Sequence, residues 1–190
     1  MKKIIAFDVD NTVVNAGERF SEFVMDQQWF RDYFSCKEQA REMAFGNYNI
    51  SNYNFFKLKH KKIMNDFWKS ETLYDSMEVE DSAEELIHKL MNQGHYVIFV
   101  THVEGIHAKS KFEMLKRAFG ELDSFIATRE KNFIRCDFLI DDRAYNLMNL
   151  HPETQGIYVK TSYSDDSKHL IDCPEVEFGN MMSIYDLLVS

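Results

Sequence analysis

The chain has 190 residues, 45% hydrophobic and 28% charged, with a formal net charge of −9. This is enough length for one buried core with a modest insertion, and too apolar a composition for extended disorder. The acidic balance disfavours long nucleic acid as a partner, and no apolar run approaches the ~20 residues that span a bilayer.

Lys3 to Phe7 is a short apolar run ending in Asp8-Val9-Asp10, which reads as a buried parallel strand. The two aspartates break it too early for a signal peptide, so a cytoplasmic protein is expected. From Asn15 to Val79 there is no strong strand, several helical stretches, and a heavy aromatic load that includes Phe20, Trp29, Phe45, Tyr48, Phe67, Trp68 and Tyr74. A small helical cap inserted after the first strand is the simplest reading, over the sheet edge where open α/β folds bind ligands. Within it, Lys57-Leu58-Lys59-His60-Lys61-Lys62 is a dense basic run, read first as a solvated helix face and second as a lure for anions.

Ser82-Ala83-Glu84-Glu85 resembles a capping box opening a helix that stops at Gly94. The strand Tyr96–Val100 ends at Thr101, and a helix is expected from Ile106 to Phe119, stopped by Gly120. Phe125–Thr128 and Gly156–Val159 are weaker strand candidates. Phe138–Ile140 is a strong one, ending in Asp141-Asp142. A helix over Asp142–Leu150 and a terminal one over Met181–Leu188 complete the expected elements. Alternating strand and helix implies an α/β fold, a central parallel sheet covered on both faces. The expected division is a core of 1–14 and 80–190 with a cap of 15–79. Cys36, Cys136 and Cys173 are scattered and read as reduced thiols.

Parallel strands end on one edge, so Asp8, Asp10, Asp141, Asp142 and Thr101 would converge there. Four carboxylates at short range repel one another unless a cation is present, and magnesium is the natural occupant. A lone Asp after a strand is usually a cap or turn residue; two acidic groups of this kind, each after a buried strand, are hard to explain that way.

Asp8-Val9-Asp10-Asn11-Thr12, Thr101, Lys131 and Asp141-Asp142 resemble the four motifs of the haloacid-dehalogenase-like phosphatases, in their order and spacing. Thr128-Arg129-Glu130-Lys131 and Leu139-Ile140-Asp141-Asp142-Arg143 are similar to the 5'(3')-deoxyribonucleotidases within that superfamily. The resemblance implies a Rossmannoid three-layer sandwich and a magnesium-dependent phosphomonoesterase acting on nucleoside monophosphates. It implies Asp8 as nucleophile and Asp10 as general acid and base. The metal would be held by Asp8, the Asp10 carbonyl and Asp141, with Asp142 beside it. Thr101, Lys131 and, on this chain, His102 would meet the phosphate. Phe67 and Trp68, with Phe20 and Phe45 behind them, would meet the base. His102 departs from the small residue usual there, and Asn11 from the common Gly. A monomer or homodimer is expected. The alternatives are another small phosphate ester or a polynucleotide 3'-phosphate as substrate, a phospho-accepting receiver, and an inactive nucleotide-binding protein.

Overall fold

The first strand becomes the middle of the molecule. The computed structural model describes residues 1–47, 49–103, 107–163 and 167–190; Tyr48 and the expected helix start at Ile106 lie outside the described residues. In chain order, β1 (Ile4–Phe7) is followed by α1 (Ala16–Asp26), α2 (Gln28–Arg31), α3 (Lys37–Gly46) and α4 (Leu58–Phe67). Then come α5 (Asp81–Asn92), β2 (Tyr96–Thr101), α6 (Ala108–Phe119), β3 (Ser124–Ala127), β4 (Phe138–Asp141), β5 (Gln155–Lys160), β6 (Glu175–Glu177) and α7 (Tyr185–Val189). The six strands form one sheet in the order β3-β2-β1-β4-β5-β6, and every pairing is parallel.

β1 is apolar throughout because both of its faces are covered. Ile5 and Phe7 point into a cluster with Leu86 of α5, Met114 of α6 and Leu188 of α7, while Ala6 points into a second cluster with Val100, Leu139 and Tyr158. The helices lie on the first face. The second is covered by short 3-10 turns and loops, through Ala144, Leu147 and Ile134. The sandwich has three layers, the third being thin.

Several boundaries differ from expectation. Helix α5 is capped by Glu80, whose carboxylate accepts from the Ser82 and Ala83 amides, and not by Ser82. Ser82 instead turns its hydroxyl to the Met181 amide at 2.6 Å, tying α5 to the carboxyl-terminal segment. The helix expected over Asp142–Leu150 shrinks to a 3-10 turn over Ala144–Leu147. Met148 is extended and Asn149 takes a left-handed φ of 55°, which ends any helix there. The terminal helix is a 3-10 turn over Met181–Ile184 before the short α7. Strand β6 escaped notice because it is three residues long with only Val176 buried.

The aromatic insertion packs on itself. Phe20, Val24, Phe30, Ala40, Ala44, Ile50, Phe56 and Met64 form a separate cluster from α1 to α4. Phe67 and Trp68 touch both this cluster and the sheet's, whereas Leu73, Tyr74 and Val79 are buried with the sheet. Among the described residues, no helix is long and apolar enough to cross a membrane.

Candidate active site

The sheet order reverses at β1, so the carboxyl end of β1 faces a crevice between the ends of β2 and β4. Asp8 sits at that point, its amide still on the ladder through the Ile140 carbonyl at 2.8 Å. The chain then folds into a tight turn in which Val9 O accepts from Val13 N, and Asn11 adopts φ 58°. Asn tolerates that conformation, and its side chain has work there. Its carbonyl accepts from the Gly17 amide at 2.7 Å and its NH2 reaches Asp142 Oδ2 at 3.3 Å, so the turn is pinned to both α1 and the β4 end.

Asp8, Asp141 and Asp142 present carboxylate oxygens within 4.8 Å of one another, all buried. Lys131, itself 3% exposed, bridges two of them, at 2.6 Å from Asp8 Oδ1 and 2.7 Å from Asp141 Oδ2. Burial pushes Asp8 up to about 6, against the pull of Lys131 and with the repulsion of Asp141 and Asp10 added. Asp142 is held well above the carboxylate range by burial and by the charges of Asp8 and Asp141. Burial alone would lower Lys131, but Asp141 and Asp8 outweigh it and keep the ammonium charged. A divalent cation would relieve the carboxylates that this lysine leaves in tension. Three hard oxygen donors at this spacing fit magnesium.

The two members of the acidic pair are placed differently. Both oxygens of Asp141 accept from Asn146 Nδ2, at 2.9 and 3.1 Å, and the Arg143 amide adds a bond of 2.8 Å to Oδ1. Among the described residues, Asp142 has the long contact to Asn11 and the Arg143 guanidinium at 3.9 Å.

Asp10 is held from two sides. Tyr74 donates its hydroxyl to Oδ1 at 2.7 Å, and Lys111 reaches Oδ2 at 2.7 Å. Thr101, fully buried at the β2 end, accepts from the same Lys111 at 2.9 Å. His102 accepts at Nε2 from Arg129 Nε, 2.8 Å away.

Above these groups lies a cavity of about 620 Å³ lined by Asp8, Asp10, Tyr74, His102, His107, Arg129, Lys131, Asp142, Arg143 and Asn146. Its roof is Asn49, Ser51, Asn65, Trp68 and Lys69. His107 Nδ1 lies 2.7 Å from the Trp68 carbonyl and joins roof to floor.

A model of the family described as 5' nucleotidase, deoxy (pyrimidine), cytosolic type C protein (NT5C) matches residues 2–189. The chain belongs to this family. It is a haloacid-dehalogenase-like hydrolase, a phosphomonoesterase of the 5'-nucleotidase type.

Solved structures agree on the fold of this nucleotidase. A Clostridium difficile protein described as a phosphatase is 17% identical, with TM-score 0.63 and 98% of each chain covered. A Clostridium acetobutylicum protein, also described as a phosphatase, is 16% identical, with TM-score 0.65 over 100% of this chain and 99% of that one. A HAD-superfamily hydrolase from Ehrlichia chaffeensis is 16% identical, with TM-score 0.54, covering 100% and 98%. No curated protein matches the chain.

Of the residues singled out in the sequence, Asp8, Asp10, His102, Lys131 and Asp142 line the cavity, with Thr101 and Asp141 directly behind them. Trp68 is in the roof. Phe20, Phe45 and Phe67 are not in the lining: Phe20 and Phe67 face each other at 5.3 Å within the cap cluster, and Phe45 carries Arg41 on its ring. Lys111, Tyr74, Asn146 and Arg129 were not anticipated as site residues. Lys111 did leave a signal. It occupies the buried stripe of α6 with Met114, Leu115 and Phe119, where a lysine is out of place unless paired.

Proposed function

We infer that this nucleotidase hydrolyses nucleoside monophosphates, deoxy or ribo, to nucleoside and phosphate through an aspartyl-phosphate at Asp8, with magnesium as cofactor. The observation that carries this reading is the Lys131 bridge. By holding Asp8 Oδ1, it leaves Oδ2, which makes no hydrogen bond among the described residues, as the attacking oxygen below the cavity. Oδ2 would form a bond to phosphorus as the bond to the nucleoside oxygen breaks, and a proton from Asp10 would go to that leaving oxygen. Water would then attack the phosphorus, give its proton back to Asp10, and release phosphate from Asp8. Thr101 and Lys131 would stabilise charge on the phosphate oxygens.

Bound magnesium would screen Asp8 from the phosphate and keep the two in line. Asp8, the Asp10 carbonyl and the acidic pair would hold it. The hydrogen bonds on Asp141 favour Asp142 as the direct ligand, with Asp141 acting by fixing Lys131. Residues 1–14 and 80–190 would serve as the catalytic core and 15–79 as the substrate-facing cap. Trp68 would stack on the base.

A second reading has support from the roof, where Asn49, Ser51, Asn65 and Lys69 are polar: a small phosphate ester without a base. A panel of deoxynucleotides, ribonucleotides and sugar phosphates, with magnesium or with a chelator, separates the two. The nucleotidase reading expects preference for nucleotides and loss of turnover in chelator. Equal turnover of every ester would overturn the substrate assignment.

A further inference from the structure

Lys111 has no place in the motifs, yet its ammonium makes three polar contacts to the site from α6. Its side chain is fully buried, a costly position for an ammonium unless every proton is used. The three donors are used: Nζ lies 2.7 Å from Asp10 Oδ2, 2.9 Å from Thr101 Oγ1 and 3.2 Å from the His102 carbonyl. Nζ also stands 4.6 Å from the centre of the Tyr74 ring, whose hydroxyl takes the other oxygen of Asp10. Two sites from different strands, Asp10 after β1 and Thr101 at the end of β2, are thereby linked through one atom of α6.

The link dictates proton directions. Because Thr101 Oγ1 accepts from Lys111, its own proton must point elsewhere. Because Lys111 and Tyr74 both donate to Asp10, that carboxylate is fixed in one plane at the cavity wall. Helix α6 also fixes Tyr74, since Ser110 accepts from the Tyr74 amide at 2.9 Å and Arg117 Nη2 donates to the Asp75 carbonyl at 3.0 Å.

We propose that Lys111 is the positioning residue for the general acid of this enzyme, acting through Asp10 and holding its carboxyl in line with the leaving oxygen. It touches no substrate. The inference rests on the phosphatase reading above and extends it to a residue of the helix. The chemistry makes it separable from a plain structural role. A poor leaving group, an alkyl oxygen such as a nucleoside's, must be protonated as its bond to phosphorus breaks; p-nitrophenolate leaves as the anion and needs no proton.

The test is the first chemical step in Lys111→Met, measured in single turnover with a nucleoside monophosphate and with p-nitrophenyl phosphate, alongside wild-type protein. Thermal melting confirms the folded fraction, and Lys111→Gln, which keeps two of the three N–H donors without the charge, is the second variant. The proposal expects the alkyl ester to lose roughly 100-fold while the aryl ester loses several-fold less, with Lys111→Gln recovering part of the difference. Equal losses on both esters in folded protein, or no loss on either, would overturn it. If wild type cleaves p-nitrophenyl phosphate but no nucleotide, the nucleotide assignment fails alone. The same comparison is then made with glycerol phosphate as the alkyl ester, and the same ratio decides.

Discussion

The Nζ of Lys131 lies 2.6 Å from Asp8 Oδ1 and continues to Asp141 Oδ2 at 2.7 Å, so one buried cation is shared between the nucleophile and the acidic pair. Removing it leaves two buried carboxylates facing each other. Lys131→Met should lose about 3 kcal/mol of stability at neutral pH, the usual cost of breaking a buried pair from one side. The loss should shrink at pH 5, where protonation of Asp8, raised to about 6 by burial, relieves the repulsion. Urea denaturation at both pH values reads it, and an equal loss at both would contradict the shared-cation view.

Asp8→Asn should abolish phosphate release, by at least about 1,000-fold, because an amide oxygen is a poor nucleophile toward phosphorus. The fold should persist, since the variant removes a charge that burial already disfavours. A mass increase of one phosphoryl group, trapped in wild type by rapid acid quench and absent from the variant, is the direct check.

Stability should depend on pH and magnesium together. Asp8 titrates near 6 in the folded chain against 3.8 as its ordinary value. The folded form therefore binds this proton more tightly than the unfolded form does. Metal-free protein should lose stability as pH rises from about 4 to 6, and Asp142, which burial and the charges of Asp8 and Asp141 also raise, adds to the loss in the same direction. Magnesium competes with those protons, so its stabilising shift in melting temperature should be small at pH 5 and larger at pH 7.5. A magnesium shift independent of pH would argue against these carboxylates as its ligands.

Trp68→Ala should raise KM for nucleoside monophosphates by roughly 10-fold, the loss of one base–aromatic stack of 1–3 kcal/mol, while leaving ribose 5-phosphate nearly unaffected. Steady-state kinetics with both substrates separates stacking from general damage to the roof. Parallel losses would place the tryptophan's contribution in packing against Phe20 and Phe67.

The parts of the site legible in the sequence are those that depend on strand ends. Asp8, Thr101 and Asp141 each follow a continuous apolar run, and a parallel sheet leaves such residues nowhere else to go. The base-facing residues were not legible in the same way. Phe20 and Phe67 were expected at the base from the resemblance, but a helical insertion of this size must bury something, and these two rings pack within its cluster. Tyr74 and Arg129 lie on irregular chain, where no periodicity announces direction; they reach the site through specific bonds from α6 and His102. The capping of α5 was misread because Glu80 and Ser82 both carry cap-competent oxygens, and only the partner at Met181 decides between them.

The central place of β1 has a consequence for how the protein is made. Its neighbours in the sheet are β2 and β4, and the bond from Asn11 to Asp142 spans 131 residues. The strand that carries the nucleophile is synthesised early and must wait, one edge until β2 is made half-way along the chain and the other until β4 has emerged. The insertion that follows it holds its own apolar cluster and can condense meanwhile. Closure of the sheet is then a late, long-range event, slow by the rule that distant contacts cost loop entropy before they return any. Until β4 docks, Asp8 remains a carboxylate in water, and the same event that completes the fold drives its pKa upward.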